Sequence, residues 1–316
     1  MDRKPESRTR WPRRRILVVL FGIVVAFGAI VFTRELLDSS RVRIAAPQDL
    51  SAHFETIGYT SKRLRAGDAE VPRFVVSDIP EDWAEGLTVD RKKSLFFRAL
   101  LPMVLMVNEE ILRDRKRLQA IGATLAESRS ASSDDLKWLM EVAERYGLPI
   151  RDRENNLSPT SIKPLLHRVD VIPPSLALAQ AAVESAYASS RFAVEGNALF
   201  GQWHLGKGLV PGKQRTELGD YRVATFRTPK DSIRSYMKNL NTNAAYRSFR
   251  ELRAAARRQD QNPRGAPLAD RLLAYSEKGA AYVSLVRNLI ARNGLSAADS
   301  ARLKDHQTTR ITTGPL

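Results

Sequence analysis

Apolar positions along the chain form first one unbroken run and then a series of helical patterns. Residues 16–32 read ILVVLFGIVVAFGAIVF, and with Thr33 they leave no charged residue between Arg15 and Arg34. At roughly 1.5 Å per residue, a helix of this length spans about 27 Å, close to the thickness of the hydrocarbon core of a bilayer. We therefore interpret residues 16–33 as a transmembrane anchor.

Basic residues precede the apolar run, because residues 1–15 hold seven Lys and Arg against Asp2 and Glu6. Such a charge bias favours the cytoplasmic side of a membrane, which predicts a cytoplasmic tail over residues 1–15 and export of everything after Arg34. A cleaved signal peptide is the alternative, but its apolar region is about 7–15 residues long and ends in small residues. No later run has this length, so we expect a single-pass protein.

The rest of the chain has the pattern of a mainly α-helical protein. Residues 34–91 mix turn residues and charges, which is typical of a connector. From Lys92 apolar residues recur at helical spacing, and Pro102 predicts a kink or a boundary there. Ser132 and Ser133 are candidate N-caps for the next helix. We expect further helices over 136–146, 176–185, 229–249 and 266–293, a hairpin within 213–227, and a flexible tail over 296–316.

The amino-acid composition excludes several kinds of site and catalyst. The chain has 316 residues, a net charge of +16 and no Cys, which excludes disulfides, thiolate zinc sites and Cys nucleophiles. The four His are far apart and form no ligand-spaced pair, so we expect no metal and no cofactor. They are His53, His167, His204 and His306. The charge indicates an anionic partner, and nucleic acid would suit the Arg-rich stretch 253–258, but an exported domain does not meet the chromosome.

The stretch most informative about chemistry is residues 173–203, PPSLALAQAAVESAYASSRFAVEGNALFGQW. Small and apolar residues fill the helix up to Val183, so that helix can be buried on all sides, and Glu184 ends it. Burial and the negative end of the helix dipole both raise the pKa of a carboxyl group in this position. A raised pKa suits a general acid near neutral pH. From spacing alone, a Glu184 that simply reaches solvent or a salt bridge remains an open alternative.

Aromatic side chains and amides follow Glu184 in a loop that contains Gly196 and Gly201. They are Tyr187, Phe192, Asn197, Phe200, Gln202 and Trp203. Aromatic faces and amides are the groups with which proteins hold N-acetylated sugars, although aromatics at this density are equally compatible with a core.

Several motifs in this region occur in a familiar order: AQAAVES, SRFA, GNALFGQW, RTE, YRVATF and SYMKNLNTNAAYR. With them, residues 173–246 resemble the glucosaminidase domains that hydrolyse bacterial peptidoglycan, most of all those of the membrane-linked Bax-type proteins. The resemblance implies a lysozyme-like α fold with a small hairpin or lid, a catalytic domain over residues 92–295, and cleavage of the β-1,4 bond after N-acetylglucosamine. It also implies an anchor in the bacterial inner membrane and a catalytic domain in the periplasm.

The same resemblance implies roles for individual residues. Glu184 takes the position of the catalytic acid, and Glu217 best fits the second acid, with Asp220 and Glu195 as the next choices. The resemblance implies substrate binding by Asn197, Phe200, Gly201 and Tyr246, the last as the cleft tyrosine. We expect Tyr187 and Trp203 to bind substrate as well, because of their aromatic faces. Ala188 and Ala198 depart from the family pattern, since many relatives have Gly and Asn at these positions.

Two carboxyl groups can cleave a glycosidic bond with one as the acid and the other as base or nucleophile. The 2-acetamido group of the substrate could also serve as the internal nucleophile. Two other functions stay open: a lytic transglycosylase, which needs one acid, and a membrane-tethered protein that binds glycan strands without cleaving them. The expected partners are peptidoglycan strands and the membrane, with an unidentified envelope protein as a further possibility.

Overall fold

The computed structural model describes residues 41–44, 46–67, 70–127, 130–148, 159–212, 219–305 and 308–313. The predicted tail 1–15 and anchor 16–33 lie outside the described residues. Within those ranges, no helix combines the length and the apolar character needed to cross a membrane. The described fold is that of the second of two units into which the chain divides, Val42–Leu316.

Helices dominate the second unit, which confirms the mainly α-helical prediction. The described α-helices are α1 Pro47–Thr56, α2 Ser61–Ala66, α3 Val89–Ala126, α4 Ser133–Arg145, α5 Pro159–Arg168, α6 Pro174–Glu184, α7 Arg191–Gly196, α8 Pro229–Thr242, α9 Arg247–Arg258, α10 Gly265–Ala269 and α11 Ala280–Arg292. Short 3-10 helices span Ala244–Tyr246, Leu273–Tyr275 and Leu295–Ser300. The described strands are β1 Arg41–Ile44, β2 Glu70–Val71, β3 Phe74–Val76, β4 Trp203–Leu205, β5 Tyr221–Val223, β6 Arg302–Leu303 and β7 Thr309–Thr313.

Helix α3 passes through Pro102 without interruption, so the predicted boundary at this residue is wrong. A proline has no N–H, and in a helix this leaves the carbonyl four residues earlier without its partner. Here that carbonyl belongs to Arg98, and the hydroxyl of the buried Tyr59 donates to it at 3.2 Å. Packing along the buried residues of α3 then keeps the helix continuous.

Helix α3 is also the element against which α5, α6 and α8 pack. Its buried Asn108 fixes the segment that leads into α6, because its amide donates to the carbonyl of Ile172 at 2.8 Å and accepts from the N–H of Ile172 at 3.1 Å. The start of α6 is therefore tied to the centre of the fold.

The two ends of the second unit form one sheet, unlike the connector over 34–91 and the flexible tail over 296–316 that the pattern predicts. Strand β7 lies between β1 and β3, and it runs parallel to β3, with Ile311 beside Val76. Both of these residues belong to the main core, as does Phe54 of α1, whose ring stacks on Phe74 at 5.1 Å. The pairing joins residues far apart in sequence, so the local pattern contains no sign of it.

A short hairpin is present near its predicted position. Strand β4 pairs antiparallel with β5, with Trp203 opposite Val223, so its first strand begins earlier than the predicted range 213–227. Gly208 makes this arrangement possible: its φ is +124°, and a Cβ there would collide with the carbonyl oxygen of Val223. Residues 213–218, between the two strands, lie outside the described part.

A buried ion cluster holds α3, α9 and the segment before α6 together. Asp170 accepts from Arg257 at 2.9 Å and lies 3.7 Å from Arg115 and 3.8 Å from Arg253. Burial by itself would raise the pKa of Asp170, but the three guanidinium groups hold it below its usual value. Arg253 also donates to the carbonyls of Asp170 and Val171, so this buried cation is well satisfied.

Candidate active site

Glu184 is the last residue of α6, and residues 174–182 of that helix are buried, as the run of small and apolar residues predicts. The side chain of Glu184 is half-buried. Its pKa is raised above the usual value, mainly by burial, while a hydrogen bond from Tyr282 and the charge of Lys278 act in the opposite direction. The direction agrees with the sequence prediction and suits a proton donor near neutral pH.

The other end of α6 is fixed by a residue from the predicted tail. Pro173 occupies the N-cap position and has no side chain that could cap the helix. Asp299 replaces the cap: its carboxylate accepts from the N–H of Ser175 at 2.8 Å, from the Ser175 hydroxyl at 2.9 Å and from the N–H of Gly265 at 2.9 Å. The helix that carries Glu184 is thus held at its start by residues from the far end of the domain.

The turn after Glu184 has an unusual backbone. Ala186, Tyr187 and Ala188 have φ values of 51°, 57° and 60°, in the left-handed region that non-glycine residues seldom adopt. The buried Ser185 hydroxyl stabilises the turn by accepting from the N–H of Ala188 at 2.7 Å. From the N-terminal part, the indole N–H of Trp83 donates to the carbonyl of Ala188 at 2.9 Å. These contacts fix the direction in which the chain leaves Glu184.

The loop that contains Phe200 and Gly201, both predicted to bind substrate, lies next to Glu184. Gly201 has a φ of +58°, and a Cβ built on it would lie 3.6 Å from Oε2 of Glu184. Phe200 is buried, and its ring stacks on that of Tyr236 at 3.9 Å. Gly201 therefore lies beside the carboxylate, whereas the Phe200 ring packs on Tyr236 in the core.

Four tyrosines surround the carboxylate. Their pKa values are all raised, in each case first by burial, and the charge of Glu184 contributes to each shift. They are Tyr236, Tyr246, Tyr275 and Tyr282. Tyr275 is the centre of the group, with its ring 5.4 Å from Tyr282, 6.1 Å from Tyr246 and 6.5 Å from Tyr236. Sequence analysis identified only Tyr246; the available signal for Tyr236 and Tyr282 was a tyrosine on the buried face of a helix, where its hydroxyl needs a partner.

A chain of hydrogen bonds connects two of these tyrosines to Glu184. The hydroxyl of Tyr236 donates to Oε1 of Gln180 at 2.7 Å, and Nε2 of Gln180 donates to the hydroxyl of Tyr282 at 2.9 Å. Tyr282 in turn acts on Glu184, because its hydroxyl lowers the pKa of that carboxyl group. Gln180 is fully buried, and sequence analysis missed it because it lies within an otherwise apolar helix.

The predicted second acid, Glu217, lies outside the described residues, so its assignment stays a prediction. Asp220, the next choice, is exposed at the start of β5 and forms an ion pair with Arg222 at 3.2 Å. Glu195, the third choice, is exposed on α7 and pairs with Arg191 at 3.2 Å.

The remaining predicted substrate-binding residues differ in what their side chains offer. Trp203 is 58% exposed on the hairpin and lies against Tyr221 with 4.6 Å between ring centroids. Tyr187 packs edge-on against Phe96 at 5.5 Å. Asn197 has a left-handed backbone at the end of α7, and its amide donates to the carbonyl of Phe226. Trp203 thus presents an open aromatic face, while Asn197 secures the loop.

Comparison with known proteins agrees with this geometry. Residues 160–295 match the Glucosaminidase family model, described as mannosyl-glycoprotein endo-beta-N-acetylglucosaminidase. The chain is 32% identical over 197 residues to the protein Bax of Escherichia coli strain K12, a match that covers 60% of this chain and 66% of that protein, just under two thirds of its length. No solved structure gave a significant match. Glu184, Gln180 and the four tyrosines all lie within the matched residues.

Proposed function

Since this chain carries a domain of the glucosaminidase family and is similar to protein Bax, we propose that it is a peptidoglycan hydrolase that cleaves the β-1,4 bond after N-acetylglucosamine. The observation that supports this most directly is Glu184, a half-buried carboxyl group with a raised pKa among four tyrosines. Peptidoglycan is proposed as the substrate because the motifs around Glu184 resemble those of bacterial cell-wall hydrolases.

In the proposed mechanism, Glu184 is the general acid. Its raised pKa keeps it protonated at a pH where an exposed carboxyl group would be ionised, so it can protonate the leaving oxygen of the glycosidic bond. Glu217 then serves as base or electrostatic stabiliser, or the 2-acetamido group of the sugar attacks internally. Tyr246 lies close enough to Glu184 for the charge of Glu184 to raise its pKa. In the proposed mechanism, Tyr246 holds the acetamido group or the attacking water.

The proposed location follows from the sequence outside the catalytic region. An anchor over residues 16–33 would hold the domain at the inner membrane, with residues 1–15 in the cytoplasm and the catalytic domain in the periplasm. Residues 1–15 contribute +5 of the +16 net charge, which leaves +11 for the rest of the chain. A positive domain suits a substrate whose peptide stems bear carboxylates.

The direct test is Glu184→Gln in the full-length protein, purified in detergent. Release of soluble muropeptides from purified sacculi is expected to fall at least 100-fold, since general acid catalysis contributes roughly 10²–10⁴-fold. Glu141→Gln is the matched control, because Glu141 is exposed on α4 and its loss is expected to leave the rate unchanged.

Product analysis by mass spectrometry distinguishes the proposal from its rivals. N-acetylglucosamine at the new reducing end supports the hydrolase. A 1,6-anhydro-N-acetylmuramic acid end would show a lytic transglycosylase instead. Sacculus binding without turnover over a broad pH range would show a binding protein.

A further inference from the structure

We propose that Gln180 is a positioning residue: its amide sets the direction of the hydrogen bonds between Tyr236, Tyr282 and Glu184, so that Tyr282 donates to the Glu184 carboxylate. The consequence for catalysis rests on the proposed function, in which Glu184 is the acid. The arrangement of the hydrogen bonds does not depend on it.

The positions of these groups follow from the helix that carries them. Gln180 and Glu184 are four residues apart on α6 and therefore share one face of the helix. Gln180 and Tyr236 are fully buried, and Tyr282 is 3% exposed. The two contacts of the amide, 2.7 Å to Tyr236 and 2.9 Å to Tyr282, are both within hydrogen-bond range.

The number of protons that each group can donate fixes the direction of these hydrogen bonds. An amide oxygen only accepts and an amide NH₂ only donates, while a tyrosine hydroxyl has a single proton to give. Tyr236 gives its proton to Oε1 of Gln180, which turns the NH₂ group toward Tyr282. The hydroxyl of Tyr282 accepts there, which leaves its own proton available for Glu184, the carboxyl group whose pKa Tyr282 lowers.

The reversed amide would be unfavourable at both ends. With Oε1 facing Tyr282, the proton of Tyr282 would go to Gln180 and be lost to Glu184. With NH₂ facing Tyr236, the proton of the buried Tyr236 would lose the acceptor that it has in the structure, and a buried donor without a partner is costly. Tyr236 therefore selects the amide orientation that leaves Tyr282 as a donor to the carboxylate.

This arrangement limits the effect of burial on the acid. Burial raises the pKa of Glu184, and the opposing influences are the hydrogen bond from Tyr282 and the positive charge of Lys278. The other groups around the carboxylate, Tyr236, Tyr246 and Tyr275, are neutral near pH 7, because burial raises their pKa values. A donor to the carboxylate also stabilises the anion that forms when Glu184 has given its proton to the leaving group.

Three variants test the chain one link at a time: Tyr282→Phe removes the donor, Gln180→Met removes the amide, and Tyr236→Phe removes the group that orients the amide. Each is expected to raise the pKa of Glu184: Tyr282→Phe removes the hydroxyl that lowers it, Gln180→Met removes the N–H that turns the proton of Tyr282 toward the carboxylate, and Tyr236→Phe leaves the amide free to turn its oxygen to Tyr282. A general acid works while it is protonated, so the alkaline limb of the kcat/KM profile on sacculi should move to higher pH in all three. The shift should be largest for Tyr282→Phe, which loses the direct contact.

Tyr59→Phe is the matched control for a lost buried hydroxyl, since Tyr59 donates to Arg98 in a different part of the core. It is expected to lower the thermal midpoint and leave the pH profile unchanged. If Gln180→Met does not fold, Tyr236→Phe tests the same step, because it removes one oxygen atom and keeps the ring that stacks on Phe200. A shift in Tyr282→Phe with none in Gln180→Met and Tyr236→Phe would overturn the role of Gln180.

A carbon-13 NMR titration of the Glu184 carboxyl group separates this inference from the proposed function. Upward shifts of its pKa in the three variants support the hydrogen-bond chain even if the wild-type protein shows no turnover, an outcome that would refute the hydrolase. Turnover by the wild type, together with an unchanged titration in all three variants, would refute the chain and leave the hydrolase standing.

Discussion

Glu184 is the last residue of a buried helix, and three residues in left-handed conformation follow shortly after it. Both segments determine where its carboxyl group lies. A left-handed residue other than glycine costs about 1–2 kcal/mol, so the turn over residues 186–188 is strained. Ser185 and Trp83 hold it through side-chain hydrogen bonds. The strained turn begins two residues after Glu184 and determines where the backbone leads away from it.

Ala186→Gly is expected to raise the free energy of unfolding by about 0.5–1 kcal/mol, because glycine adopts this conformation without strain and the gain exceeds its larger unfolded-state entropy. The methyl group of Ala186 is exposed, so its removal costs no burial. Ala188→Gly should gain less, since its methyl group is buried and is worth about 0.8 kcal/mol. Urea unfolding monitored by circular dichroism measures both, and a destabilised Ala186→Gly protein would contradict the strain argument.

At the scale of single elements, the hairpin of β4 and β5 projects an exposed aromatic pair. Trp203 lies on Tyr221 with an open face, and its strand begins two residues after Gly201, which lies beside Glu184. This short connection places the aromatic face near the carboxylate along the chain. It fits a platform for a sugar ring next to the bond that is cleaved.

Trp203→Ala is expected to raise KM for sacculi about tenfold, the equivalent of roughly 1.4 kcal/mol of lost aromatic contact, with little change in kcat. Trp203→Phe keeps a ring and should recover most of the affinity. Michaelis–Menten kinetics with labelled sacculi provide the comparison. An unchanged KM for Trp203→Ala would exclude Trp203 from the binding surface.

Helix α3 shows how one element depends on a side chain from another. Tyr59→Phe should lower the free energy of unfolding by about 1–3 kcal/mol, because it leaves the buried carbonyl of Arg98 without a partner. In a Pro102→Ala background, the restored N–H bonds this carbonyl, and the cost of Tyr59→Phe should fall below about 1 kcal/mol. A double-mutant cycle in urea measures the coupling, and equal costs in both backgrounds would refute it.

Elements with local signals were predicted correctly. Ser132 caps α4, and α6 ends at Glu184, because a cap and an apolar run act within a few residues. The continuity of α3 at Pro102 was not predictable, since it depends on Tyr59, more than 40 residues away. The same applies to the candidate site: Glu184 was identified from its helix together with the family motifs around it, whereas the roles of Gln180 and Tyr282 depend on the packing of α6 against α11.

For the whole molecule, stability depends on contacts that join distant segments, and the cluster around the buried Asp170 is one of them. Asp170→Asn is expected to cost about 3–5 kcal/mol, because it leaves buried guanidinium groups without their counter-ion. Asp270→Asn is the control: Asp270 and Arg287 form an exposed pair at 2.8 Å, worth less than about 1 kcal/mol. Chemical denaturation of both proteins gives the values, and equal losses would refute the role of the cluster.

The same cluster predicts how stability depends on pH. The pKa of Asp170 is lower in the folded protein than in the unfolded chain, so the folded state binds fewer protons as the pH falls. The stabilisation is complete above the unfolded pKa and disappears as the pH falls through the lower folded value. The wild type should therefore lose stability faster than Asp170→Asn below about pH 4, which thermal melts from pH 7 to pH 3 can measure.

The position of β7 in the middle of its sheet has a consequence for how the protein matures. Strands β1 and β3 emerge early from the ribosome, yet the strand between them arrives only with residues 309–313. The Asp299 cap of the helix that carries Glu184 is also synthesised more than 100 residues after that helix. A nascent chain that stops before residue 295 lacks both, so its Glu184 helix has no fixed start. Incomplete copies of the protein therefore lack the contact that fixes the start of the Glu184 helix.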